Sequence, residues 1–103
     1  MTTKTYAGKN LEVTEEGYLI DPSQWTKEMA IEIAKEEGIE LNEKHFAVLE
    51  YLRKENLAGK QLTIRAVGKS GIVDIKGLYD LFPGGPLKKS SRIAGIPKPS
   101  SCV

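Results

Sequence analysis

The order of apolar and polar positions sets out a short β region followed by a run of helices. Thr5-Tyr6-Ala7 and Leu11-Glu12-Val13 flank a Gly8-Lys9-Asn10 turn, and Glu15-Glu16-Gly17 turns into Tyr18-Leu19-Ile20. This predicts a hairpin with a third short strand, which must lie against helices to be stable. Asp21-Pro22-Ser23 breaks the strand pattern. Thr26 is placed to cap a helix over 27–37 that Gly38 ends, with Met29, Ala30, Ile33 and Ala34 on one buried face. Asn42 opens a second helix to Leu57, its core face made by Phe46, Val48, Leu49 and Leu52. Three shorter helices follow: 64–69 capped by Thr63, 75–82 capped by Asp74 and stopped by Pro83, and 86–94 opened by Pro86 and ended by Gly95. The predicted fold class is mainly α (α+β), an N-terminal hairpin on a bundle of about five helices. At 103 residues the chain makes one domain: a hairpin region over 1–22, a helical bundle over 23–95 and a C-terminal arm over 96–103.

The arm, Ile96-Pro97-Lys98-Pro99-Ser100-Ser101-Cys102-Val103, carries two prolines and little apolar surface. Proline fixes φ and removes a donor, so the segment is expected to be extended, stiffened by Pro97 and Pro99. Seven residues separate Gly95 from Cys102, a reach of roughly 22–25 Å. Cys102 is the only cysteine. A thiol on such an arm suits a carrier, which enters one partner's site, takes up a group and delivers it to another. A lone cysteine near a terminus is also simply tolerated there. Lys98 and Arg92 are the cations available to lower its pKa, while the terminal carboxylate acts the other way.

Composition narrows the classes. The chain is 40% hydrophobic and 28% charged, enough to bury one core, which excludes a disordered or fibrous protein. No apolar run approaches the roughly 18 residues of a membrane span and no leader pattern opens the chain, so a cytoplasmic domain is expected. One Cys and one His exclude an internal disulfide framework and a self-contained zinc site. There is no Ser-His-Asp set, paired-carboxylate motif, Gly-rich phosphate loop or ligand cluster, so no cofactor or metal and no self-contained active site is expected. Charge is segregated: residues 1–56 hold seven basic and twelve acidic side chains, residues 57–103 eight basic and two acidic. Such polarity steers acidic partners towards the second half, or marks only a solvated face.

The C-terminal string Leu78-Tyr79-Asp80-Leu81-Phe82-Pro83-Gly84-Gly85-Pro86, then Arg92-Ile93-Ala94-Gly95-Ile96-Pro97-Lys98-Pro99 and the penultimate Cys102, strongly resembles the DsrC/TusE family. Gly17-Tyr18-Leu19, Trp25 and the Gly38-Ile39 to Asn42–His45 stretch agree with it, while the 59–74 region looks shorter than is usual there. The resemblance implies a sulfur-bearing role for Cys102. DsrC proteins that partner dissimilatory sulfite reductase have a second cysteine eleven positions earlier and hold sulfur between the two thiols. Here that position is Ser91, which points to the TusE-like branch, where one thiol accepts sulfur as a persulfide and passes it on. If Ser91 replaced a native cysteine, the implied role would be that of the sulfite reductase gamma subunit. Implied partners are a TusBCD- or DsrEFH-like donor and, as acceptor, the enzyme that 2-thiolates the tRNA wobble uridine or a sulfite reductase-like complex. No membrane partner is expected.

By the same resemblance Arg92 lies near the cysteine arm, where it stabilises a persulfide or sulfur oxyanion, or else is a solvated helix-end cation. Lys88, Lys89 and Lys98 are read as docking or supporting cations. Tyr79, Phe82 and Trp25 are expected in the core, and His45 capping locally or facing solvent. A competing function is nucleic-acid binding by a helix-turn-helix of the 64–69 and 75–82 helices, with the winged-helix-like character that DsrC-like folds suggest. Against it, the second of these helices offers only Lys76 and lacks the Arg/Asn/Gln set that reads bases. A third reading makes the chain a non-catalytic adaptor of a sulfur-oxidation complex, with the arm as docking peptide.

Overall fold

The computed structural model describes residues 2–60 and 62–98. Two antiparallel strands, β1 (Thr2–Tyr6) and β2 (Lys9–Val13), pair in a register that sets Tyr6 opposite Lys9. The hairpin turn is therefore the two-residue Ala7-Gly8, starting one residue earlier than the expected three-residue Gly8-Lys9-Asn10. Both turn residues are left-handed, at φ +51° and +76°, the two-residue geometry that matches strand twist. Alanine is an unusual occupant of such a position, and its N–H is held by the Glu32 carboxylate. The expected third strand is reduced to one bridge, Val13 to Leu19, because the polypeptide turns over Thr14–Gly17 and leaves after a single further bond from Ile20 N–H to the Glu12 carbonyl.

A 3-10 turn at Pro22–Gln24 leads into five helices: α1 (Lys27–Glu36), α2 (Glu43–Leu57), α3 (Ile64–Gly68), α4 (Ile75–Leu81) and α5 (Pro86–Ile93). Their starts follow from their caps. Thr26, Asn42, Thr63 and Asp74 each accept a first-turn backbone N–H with the side chain, satisfying donors the helix itself cannot. Among the described residues no helix is long and apolar enough to cross a membrane.

α5 is the hub, packing against α1, α2 and α4. Its Leu87, Ser90, Ser91 and Ile93 have no exposure, nor do Met29, Ala30, Ile33 and Ala34 of α1 or Leu49 and Leu52 of α2. The hairpin closes one side with Tyr6, Leu11 and Val13. Phe46, expected on the core face, is half-buried at its rim, with the Lys27 ammonium 5.7 Å from its ring centroid. His45 takes the inner place instead. Its Nδ1 accepts the Asn42 N–H at 3.1 Å, which assigns the ring proton to Nε2, and Nε2 donates to the Leu81 carbonyl at 2.9 Å. The ring meets Phe82 edge-on at 5.1 Å. His45 does cap locally, but it does not face solvent.

Phe82 is fully buried, as expected, whereas Tyr79 is 45% exposed and lies outside the core. Positions three apart on a helix lie only about 60° from one another, but α4 ends at Leu81 and Phe82 has left the helical conformation at φ −131° and ψ 72°, so its side chain enters the core while Tyr79 stays on the outer side. Phe82→Ala is therefore expected to cost about 3–5 kcal/mol through loss of packing and a residual cavity. Tyr79→Ala is expected to change stability by no more than about 0.5 kcal/mol. Urea unfolding of the two variants beside the wild type checks both values.

Candidate functional site

The residues that matter for the arm are those that end α5 and release the chain. The last four backbone carbonyls of that region all find donors. Gly95 N–H returns to the Arg92 carbonyl and Ile96 N–H to the Ser91 carbonyl, each at 3.2 Å, a paired arrangement that requires the left-handed φ of +70° at Gly95. Trp25 Nε1 donates to the Ile93 carbonyl at 2.8 Å, and Arg53 Nη1 to the Ala94 carbonyl at 2.9 Å. Arg53 also reaches the Pro22 carbonyl at 2.9 Å and stacks its guanidinium 4.5 Å from the centre of the Trp25 ring. A side chain at position 95 has no room, since a Cβ there would lie 2.3 Å from Trp25 Cδ1.

Ile96, the first residue of the predicted arm, is 1% exposed, and the chain reaches solvent at Pro97 and Lys98. The Lys98 ammonium pairs with Glu16 at 2.9 Å, across the turn that precedes Tyr18. Pro99 and Cys102 lie outside the described residues.

Arg92 has its guanidinium largely enclosed, the side chain being 12% exposed. Nε donates to the Gly17 carbonyl at 3.2 Å, Nη1 to Glu37 at 3.3 Å, and Nη2 to Glu36 and to the Tyr6 hydroxyl. Four of the five N–H groups an arginine offers are thus committed to the hairpin side of the molecule. Gly17 permits this approach, because a Cβ there would sit 2.7 Å from Arg92 Nε. Burial alone would raise the Glu36 carboxyl, but hydrogen bonds from Tyr6, Arg92 and Lys4 outweigh it and hold the group below the ordinary carboxylate range. Burial, then the hydrogen bond to Glu36, pushes the Tyr6 phenol up.

The remaining predicted cations are elsewhere. Lys88 is exposed and its carbonyl accepts the Tyr18 hydroxyl at 3.1 Å, while the half-buried Lys89 brings its ammonium against Gly84. Both belong to the first turn of α5, roughly 10 Å along the helix from Gly95. Ser91, where the resemblance would place a second cysteine, is fully buried, and its Oγ has no hydrogen-bond partner. Among the described residues no cluster of His, Cys, Asp or Glu could hold a metal ion. Among the described residues the candidate site is an anchored root at Gly95 and Ile96, beyond which the chain reaches solvent at Pro97 and Lys98.

Arg53 was not singled out from the sequence, although a signal exists. It continues the stripe of His45, Val48, Leu49 and Leu52 at helical spacing, so a cation stands where the periodicity asks for an apolar residue. Trp25 is half-buried as part of the same root rather than deep in the core.

Two outcomes follow from this geometry. Gly95→Ala must add a Cβ against the indole and hold a left-handed φ, so a loss of about 1–3 kcal/mol or more is expected in urea unfolding. Glu36 has a folded-state pKa below its unfolded value, so its contribution is complete above the ordinary carboxylate pKa and is lost as pH falls through the folded value. Glu36→Gln is accordingly expected to be less stable than the wild type at about pH 7, with the gap closing as pH falls through the folded-state value; denaturant unfolding across the acid range measures it.

The chain matches the family model described as DsrC like protein over residues 5–103. Sulfurtransferase TusE of Escherichia coli (strain K12) is 39% identical over 108 residues, covering 95% of this chain and 97% of that protein. The NMR structure of Allochromatium vinosum DsrC superposes with a TM-score of 0.82 at 37% identity, covering 98% of this chain and 97% of that one. The crystal structure of the oxidized gamma subunit of the dissimilatory sulfite reductase (DsrC) from Archaeoglobus fulgidus gives 0.82 at 34% identity, covering 99% and 100%. A family model matched over nearly the whole chain and relatives at 39% identity place it plainly: the chain belongs to the DsrC-like family.

Proposed function

We propose that the protein is a sulfur carrier that works through Cys102. The supporting observation is the contrast at the end of α5. The chain is fixed through Ile96 by the Gly95 turn, Trp25 and Arg53, and the only thiol follows six residues later, within roughly 20 Å of extended reach. A body that fixes the root, with the one thiol of the sequence six residues beyond it, suits delivery between two active sites. Similarity to proteins named sulfurtransferase TusE supports the same reading.

The chemistry is thiol–persulfide exchange. The Cys102 thiolate attacks the outer sulfur of a donor protein's persulfide, a new S–S bond forms, and the donor's thiolate leaves with the electron pair. In the second step a nucleophile of the acceptor takes the outer sulfur and the Cys102 thiolate is released. No external oxidant or reductant enters either exchange. The donor is a TusBCD- or DsrEFH-like protein and the acceptor a tRNA-thiolating enzyme. Ser91 favours this single-thiol relay over the role of sulfite reductase gamma subunit, because a hydroxyl cannot share a sulfur with Cys102.

In this scheme Arg92 is a positioning residue: its contacts with Gly17, Glu36 and Glu37 hold the last turn of α5 against the hairpin. Lys98, through Glu16, sets the direction in which the arm leaves. Lys88 and Lys89, at the other end of α5, serve docking.

Reduced protein incubated with polysulfide, or with a cysteine desulfurase and cysteine, is expected to gain one sulfur by intact mass, reversed by reductant. Cys102→Ser is expected to gain none. A wild-type chain that takes up no sulfur from these supplies or from a TusBCD-like donor complex, or a Cys102→Ser chain that takes up as much, would overturn the reading.

A further inference from the structure

α4 has apolar side chains on two sides. Leu78 and Phe82 turn into the core, while Ile75 and Tyr79, one turn apart, stand 46% and 45% exposed, and Ile72 just before the helix is 40% exposed. A helix that serves only to cover a core is expected to be polar on its outer side. The outward group is also rigid. Gly68 lacks the Cβ that would lie 2.5 Å from Ile75 Cγ1, so Ile75 is seated directly on α3, and Gly77 likewise makes room for Val73.

Cations surround these residues. Arg65, Lys69 and Lys76 are exposed on α3, the connecting turn and α4, and Lys44 joins Ile72 and Val73 in lining the adjacent cleft. Among the described residues none of the four has a carboxylate within ion-pair distance. The acidic residues of this face are Asp74, whose carboxylate is spent on the Gly77 N–H at 2.6 Å, and Asp80. By contrast, the Arg92, Lys98 and Lys60 side chains of the same basic half are each paired with a glutamate.

We infer that this face of α3 and α4 is a docking surface for a partner protein that presents carboxylates around an apolar centre. Three large apolar side chains, one of them tyrosine, form the kind of desolvating centre found in protein interfaces. The unpaired cations select the sign of the partner's rim. A nucleic acid would use the cations but leave Ile72 and Ile75 without a role, and α4 offers no Arg, Asn or Gln to read bases. The surface adds a second contact to the carrier role, on the body of the protein and independent of the thiol.

The test is an NMR titration of the isotope-labelled full chain, carrying Cys102→Ser so that sulfur chemistry is absent. The probe is a helical peptide with Leu at i, i+3, i+4 and i+7 and Glu at the remaining positions. Shifts are expected to concentrate in residues 64–82. The double variant Ile75→Ser/Tyr79→Ser, its fold checked by unchanged amide shifts away from residues 64–82, should bind about tenfold more weakly or worse, as should a peptide with Lys replacing Glu. The inference fails if the acidic peptide shifts nothing or shifts another face, if the Lys peptide binds as well, or if an RNA hairpin binds this face more tightly. Because the probe needs no thiol, such a failure leaves sulfur acceptance by Cys102 standing.

Discussion

A buried helix cannot leave its last carbonyls bare, and this requirement organises the functional end of the molecule. α5 runs through the core, so water cannot reach the carbonyls at its C-terminus, and each one left without a donor would cost about 1–3 kcal/mol. The chain supplies two donors from its own backbone by turning left-handed at Gly95, and two from distant side chains, Trp25 and Arg53. The position of the 3-10 turn follows from this, because Arg53 spans both Pro22 and Ala94. So does the absence of any side chain at position 95. The chain emerges at Pro97 and Lys98 because four hydrogen bonds end the helix just before them.

Charge in the sequence is divided between an acidic first half and a basic second half, and the fold uses much of that division internally. Arg92 ties α5 to Glu36 and Glu37 at the end of α1, and Lys98 crosses to Glu16. The second of these is an exposed pair of the sort that contributes little stability, while the first is largely enclosed and joined to Tyr6, Lys4 and the Gly17 carbonyl. What the core does not consume is left on α3, on α4 and at the first turn of α5. A charge asymmetry that could mean anything in one dimension thus separates, in three, into a structural share and a surface share.

The helices were legible because their signals are local. Thr26, Asn42, Thr63 and Asp74 cap in the structure as their positions in the sequence imply, and the helix ends differ by one residue at most. The features that escaped are those decided by distant partners. Ala7 accepts a left-handed turn because Glu32, on another element, holds its N–H. Tyr79 is turned out because α4 ends at Leu81, and Phe82, no longer helical, reaches the core without carrying the i−3 position with it. His45 is buried because Leu81 and Phe82 come to meet it. At the site, the lone thiol, the prolines and Gly95 are visible in the sequence. The roles of Arg53 and Trp25 are not, since neither residue is near the arm until the chain folds.

Ser91 shows what the fold leaves open. Its side chain is enclosed on α5, and no neighbour uses its hydroxyl. A thiol is nearly the same size and bears confinement among apolar atoms more easily than an alcohol does. No hydrogen bond of the described structure depends on the hydroxyl, so a thiol in its place would leave no partner unpaired. One-thiol and two-thiol chemistries can share this scaffold, separated by the exchange of one oxygen atom for sulfur.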